Sequence, residues 1–146
     1  MGQGPTQPTE QYFDKGLWGY DGVRWRKLPL LWGYSDRWFE NLDYTADATY
    51  ILRKSAAVPA GYVYVLEAAA LLLLQRATTS ASIEVLPAGA PGCPVQNAAA
   101  LAANTWLFWV GRATLKAGDQ VQLYLNNCQA GDTFSGRIWG YKMAVG

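Results

Sequence analysis

Asp21, Asp36, Glu40, Asp43 and Asp47 crowd one stretch of this chain. Paired acids of this kind can hydrolyse glycosides, one protonating the leaving oxygen while the other attacks or activates water. Most of these residues stand beside Gly, Ser, Asn or Thr, the company kept by acids that cap turns, so a structural role is the stronger expectation. Glu67 differs because it interrupts an apolar run. Buried there, it would carry the raised pKa that marks a functional site; otherwise it faces solvent on an edge or pairs with an arginine. Histidine is absent, which removes the commonest general base, the His-dependent nucleophile systems and any His-built metal site. Cys93 and Cys128 lie far apart without CxxC spacing, so neither a zinc site nor a redox motif is indicated. Catalytic, metal and cofactor-binding residues are accordingly all assigned as none, and a non-enzymatic protein is expected.

Two binding chemistries have residues to support them. Arg24-Trp25-Arg26-Lys27 and Arg37-Trp38-Phe39 interleave cations with aromatic rings, the pattern of a single-strand nucleic-acid platform. Asp14, Asp21, Asp36 and Glu40 nearly cancel Lys15, Arg24, Arg26, Lys27 and Arg37, however, and counterion release needs an excess of cations. Seven Trp would also permit stacking on sugars, although Trp in a small β-sandwich is first of all core or interface material. A protein interface accounts for more. The segment 16–40 is too aromatic to leave in water and is rich in Arg, and Trp, Tyr and Arg are the residues enriched at interface hot spots. Trp18, Tyr20, Arg24, Trp25, Arg26, Trp32, Tyr34, Arg37 and Trp38 are the candidate interface residues, with the tryptophans expected to divide between docking surface and core.

The elements that would position these residues follow from composition and punctuation. At 146 residues the chain suits one domain. Charged residues make up 16% and aromatics 14%, and the formal net charge is +1, so no global field draws nucleic acid or an acidic membrane. Residues 1–15 are polar, Pro/Gly-rich and aperiodic, reading as an extended N-terminal arm without the regions of a signal peptide. The most apolar window, 56–74, holds Pro59, Gly61 and Glu67, and its purely apolar tail is too short to span a bilayer. No membrane partner is expected.

The remainder, 16–146, reads as a single domain that alternates strand and turn signals. Strands are predicted over 48–54, 62–66, 68–74, 81–86, 105–110, 120–125 and 133–141, with turns at 58–61, 115–119 and 130–132. The stretch 68–74 has helix-forming composition but continues a β-rich run without a cap or breaker, and is assigned to strand. Residues 87–94 read as loop, and the Ala-rich stretch 98–103 as one short helical turn. Leu17-Trp18-Gly19-Tyr20 recurs as Leu31-Trp32-Gly33-Tyr34, and Trp139-Gly140-Tyr141 stands near the C-terminus, as if similar aromatic strand edges were used three times. About eight short strands with Gly/Pro/Asp turns predict an all-β antiparallel β-sandwich of jelly-roll type. Cys93 and Cys128 both fall in predicted loops, which leaves a disulfide between them open, while a chain without an export signal is expected in a reducing compartment.

Gly19-Tyr20-Asp21-Gly22-Val23-Arg24-Trp25-Arg26-Lys27-Leu28 resembles an opening common among small structural proteins of tailed bacteriophages. The turn Val58-Pro59-Ala60-Gly61, the pair Leu115-Lys116-Ala117-Gly118-Asp119 and Ala130-Gly131-Asp132, and the ending Ile138-Trp139-Gly140-Tyr141 are similar to recurrent elements of the same proteins. The resemblance covers most of 16–142 and is nearest to head decoration (auxiliary capsid) proteins. It implies a virion protein made in the host cytoplasm and placed on the outer surface of the head. Its partners would be itself, as a homotrimer, and the major capsid protein, which it would stabilise. The dense Trp content and the two cysteines depart from the common pattern. The rival expectations are a carbohydrate-binding module of a phage tail or baseplate and a single-stranded nucleic-acid-binding protein.

Overall fold

The computed structural model describes residues 36–145 together with two short strands before them, β1 (Trp18–Tyr20) and β2 (Trp25–Lys27). The chain divides into two compact units, Met1–Ser35 and Asp36–Gly146. In the first, β1 and β2 form an antiparallel ribbon with Trp18 opposite Lys27 and Tyr20 opposite Trp25. The segment 16–40 is therefore split, and Arg37 and Trp38 belong to the second unit. The remaining candidates, Arg24, Trp32 and Tyr34, fall outside the described residues, as does the arm 1–15.

The second unit is the sandwich. Its strands are β3 (Asp36–Asn41), β4 (Tyr44–Thr45), β5 (Tyr50–Lys54), β6 (Tyr62–Leu73), β7 (Ala81–Leu86), β8 (Cys93–Ala98), β9 (Leu107–Leu115), β10 (Gln120–Asn126) and β11 (Thr133–Ala144). A front sheet runs β3-β11-β6-β9, with β4 also on β11, and a back sheet runs β5-β10-β7-β8. All pairings are antiparallel. Leaving aside the two-residue β4, β3 pairs with β11, β5 with β10, β6 with β9 and β7 with β8. These are nested pairs, as in one long hairpin folded over so that successive pairs alternate between sheets. That is jelly-roll connectivity.

One local device makes four of the turns. Pro59-Ala60-Gly61-Tyr62, Pro87-Ala88-Gly89-Ala90, Lys116-Ala117-Gly118-Asp119 and Gln129-Ala130-Gly131-Asp132 each close with the fourth amide donating to the first carbonyl, at 3.0–3.2 Å. Their glycines have φ between +72° and +93°, the left-handed region that the third position of such turns requires and that a Cβ disfavours. In the last two, the aspartate carboxylate also accepts the backbone amide three residues back, at 2.8 Å from Lys116 and from Gln129.

Between the sheets lies the core. Strand β10 alternates cleanly, sending Val121, Leu123 and Leu125 inward against Phe134 and Ile138 of β11 and Leu71 and Leu73 of β6. The stretch assigned to strand at 68–74 is indeed the second half of β6, ending at Leu73. Two expectations need correction. Residues 98–103 form no helical turn, because Leu101 is drawn into the core and exchanges backbone hydrogen bonds with Thr78. Cys93 and Pro94 are not in a loop but open β8, an edge strand, where proline's missing amide leaves no ladder bond unmade.

Candidate interaction surface

The outer faces of the two sheets differ. On the back sheet a polar ladder occupies the centre, the Ser82 hydroxyl donating to Glu84 Oε1 at 2.8 Å and Gln122 Nε2 to Glu84 Oε2 at 3.0 Å, while Tyr50 and Leu52 are exposed on edge strand β5 with Tyr50 against Tyr124. The front sheet instead presents Phe39, Phe108 and Val110, which are 55%, 52% and 71% exposed, together with Trp106 and Trp139. The register explains the grouping. Trp139 of β11 lies opposite Phe39 of β3 on one side and Ala68 of β6 on the other, and Ala68 in turn lies opposite Val110 of β9. One row along, Arg137, Ala70 and Phe108 are aligned in the same way.

Because β6 contributes only methyl groups at Ala68 and Ala70, the rings on either side lean over it. Phe39 and Trp139 have centroids 6.1 Å apart, and Trp139 and Phe108 are 6.0 Å apart. An aromatic band thus crosses the sheet from one edge strand to the other. Beside it is a groove of about 470 Å³ lined by Ala70, Trp106, Phe108, Arg137 and Trp139. Sequence reasoning took 105–110 for a strand and Trp139 for a strand edge without recognising this surface. The available signal was the run of small residues Ala68–Ala70 between the bulky stretches 106–110 and 138–141, which indicates a face only once the register is known.

Charges around the band are paired. Arg137 Nη1 donates to Asn41 Oδ1, to Asp43 Oδ1 and, at 2.8 Å, to the Gly136 carbonyl. The Arg137 guanidinium beside Asp43 holds that carboxyl below the ordinary range. Lys142 Nζ is 3.2 Å from Asp36 Oδ2, which lowers the acid and raises the amine. Glu67 proves to be a bulge. It has no partner in the registers with β11 and β9, its side chain is about half exposed, and it lies 3.9 Å from Arg112. The alternative of an acid paired with an arginine near solvent describes it, and the buried acid does not.

Of the predicted interface residues whose side chains are described, Arg37 is exposed on β3 and Trp38 is not. Trp38 is only 6% exposed, packs in the core and against Tyr64 at 4.9 Å, and donates its indole N–H to Glu40 Oε1 at 2.8 Å. Strand alternation sends Trp38 inward and its neighbours outward, which overrides the docking assignment. Trp18, Tyr20, Trp25 and Arg26 lie on the β1–β2 ribbon, and nothing further is described of their side chains. Cys93 and Cys128 are both free thiols, Cys93 exposed and Cys128 buried, so the disulfide left open by the sequence is not formed. Burial pushes the Cys128 thiol up. Among the described residues no group of three His, Cys, Asp or Glu side chains could hold a metal ion.

No protein-family model matches the chain. No curated protein matches it. Among solved structures, it is similar to a protein of Bacillus endospore appendages, a family of disulfide-linked pili, at 16% identity over 75% of this chain and 88% of the other, with a TM-score of 0.43. It is also similar to the Drosophila NLP core, studied for pentamer formation and histone binding, at 14% identity over 72% of this chain and 97% of the other, with a TM-score of 0.35. Likeness at this level carries no functional argument.

Proposed function

We propose that this chain is a non-enzymatic structural protein of a tailed-phage particle, a head decoration protein that adds to the outer shell as an oligomer. The observation that carries the oligomeric part of this reading is the aromatic band exposed across the front sheet, from Phe39 through Trp139 to Phe108. Contiguous apolar surface of this kind marks protein contact sites. The virion part rests on the sequence resemblance, whose turns at 58–61, 115–119 and 130–132 are the ones that shape the sandwich.

Physical chemistry favours such a role for a rigid β-body. A protein that binds only the mature shell stabilises that state by mass action, and an oligomer that grips several shell subunits gains by avidity. The groove lends less support to sugar binding. Among the described residues Arg137 is its one charged lining residue, and Arg137 Nη1 is already shared among Asn41, Asp43 and the Gly136 carbonyl. Nucleic-acid binding gains little from a face whose Arg137 and Arg112 each have an acidic partner.

The test is molar mass by light scattering, alone and after co-sedimentation with purified expanded capsids. A trimer that travels with the shells is expected. Protein that stays in the supernatant at low salt and high concentration would sink the decoration reading.

A further inference from the structure

We infer that the aromatic outer face of the front sheet is where copies of this chain pack on one another, so that the occupant of the Ala70 groove is a side chain of a second copy. This rests on the oligomeric reading above; a face that packs on the same face of another copy closes as a two-fold pair, so the unit this surface makes is a dimer, and a trimer needs a second contact.

Shape supports a self-contact. The same face carries a depression, floored by Ala70 and walled by Trp106, Phe108 and Trp139, and projecting apolar side chains, Phe39 and Val110. A surface that binds its own copy must supply both parts of each contact. Packed sheets use this kind of relief, interdigitating large side chains over small ones about 10 Å apart. Ala70 points outward, is 1% exposed and stands outside the core cluster, so the floor between Trp106, Phe108 and Trp139 lies low while the rings around it stand high, as interdigitation requires.

Size supports it as well. Four strands about 4.8 Å apart and about eight residues long, at roughly 3.3 Å per residue, present on the order of 500 Å². Two such faces remove about 1,000 Å², which reaches the lower threshold of a biological interface and fits a concentration-dependent self-association. Charge does not oppose the contact. Arg137 with Asp43 and Arg112 with Glu67 place both signs around this face, so a second copy brings acids as well as bases. A basic or acidic partner would meet no such match.

The experiment is sedimentation equilibrium of the full chain over a wide concentration range, for wild type, Phe108→Glu, Val110→Glu and, on the polar sheet, Gln122→Lys. Each variant's fold is checked by circular dichroism. Wild type and Gln122→Lys should self-associate, while Phe108→Glu and Val110→Glu should weaken association about thirtyfold or more. If Phe108→Glu fails to fold, Val110→Glu decides, because a side chain 71% exposed has little to lose in the monomer. Wild type that stays monomeric at the highest concentration overturns the inference, as does a folded Val110→Glu that associates like wild type. Shell co-sedimentation is read separately. Wild type that self-associates through this face but ignores capsids sinks the decoration reading and leaves this inference standing. A Val110→Glu variant that loses shells yet keeps self-association assigns the face to the shell and overturns it.

Discussion

Phe108 and Trp139 lie on strands that do not pair, yet their ring centroids are 6.0 Å apart with planes inclined at 48°. Strand β6 separates them, and neighbouring strands are about 4.8 Å apart, so side chains two strands away meet only across small residues. Ala68 and Ala70 supply that gap. The pair joins the two edges of the front sheet into one aromatic surface and leaves the groove beside it. Replacing Phe108 by Ala should change monomer stability by no more than about 1 kcal/mol, because the ring is already half in water. Urea unfolding of the monomer checks this.

Gly140 should be irreplaceable. It lies where β11 passes the Glu67 bulge, and a Cβ there would stand 1.9 Å from the Val65 carbonyl oxygen, a backbone atom that cannot swing aside. Gly140→Ala should destabilise the fold by about 3 kcal/mol or more through forced backbone shifts. Gly136→Ala meets the flexible Leu123 Cδ1 at 2.7 Å first and should be milder. Thermal melts of the two variants side by side test the ranking.

Trp38→Ala should behave as a core mutation. Its ring packs on Tyr64, and its indole N–H satisfies Glu40, whose other oxygen accepts the Ala56 amide at 3.0 Å. A loss of about 3–5 kcal/mol is expected from the cavity alone. A Trp38→Ala protein with near-normal stability and impaired assembly would return this residue to the docking surface.

Acid should weaken the sandwich through Asp132. The Arg76 guanidinium, followed by the Gln129 amide, holds this buried carboxyl below its ordinary range. A depressed pKa means that the folded state gives up its proton more readily than the unfolded chain. The stabilisation is therefore complete above the unfolded value, near pH 4, and is lost as pH falls through the folded one. Asp132→Asn should lower stability at pH 7 by about 1–3 kcal/mol, since Arg76 loses its charged partner and one of the two accepting oxygens becomes a donor facing Arg76 or the Gln129 amide. The gap from wild type should narrow below about pH 3. Urea titrations at the two pH values measure it.

Thiol chemistry should separate the cysteines. Cys93 is exposed at the start of an edge strand, whereas Cys128 is buried with its pKa raised. A chromogenic disulfide reagent should therefore titrate Cys93 in native protein and reach Cys128 only after denaturation. Finding no free thiol even in denaturant would mean that the two are bonded.

Local chemistry was legible without the structure. The turns at 58–61, 115–119 and 130–132, and the alternation along 120–125, depend on residues close in sequence, and from them the all-β antiparallel class follows, whereas the jelly-roll connectivity rests on which strands pair. The site was not legible, because it is made by residues far apart along the chain. Strand periodicity is two, so a shift of one residue exchanges the faces. That is why Trp38 enters the core while Phe39 joins the aromatic band, though the two are adjacent and chemically alike. Composition placed the docking surface at 16–40, where aromatics and arginines are densest. Tertiary register instead assembled an exposed aromatic face on the front sheet from Phe39, Phe108, Val110 and Trp139, with two alanines of β6 between them.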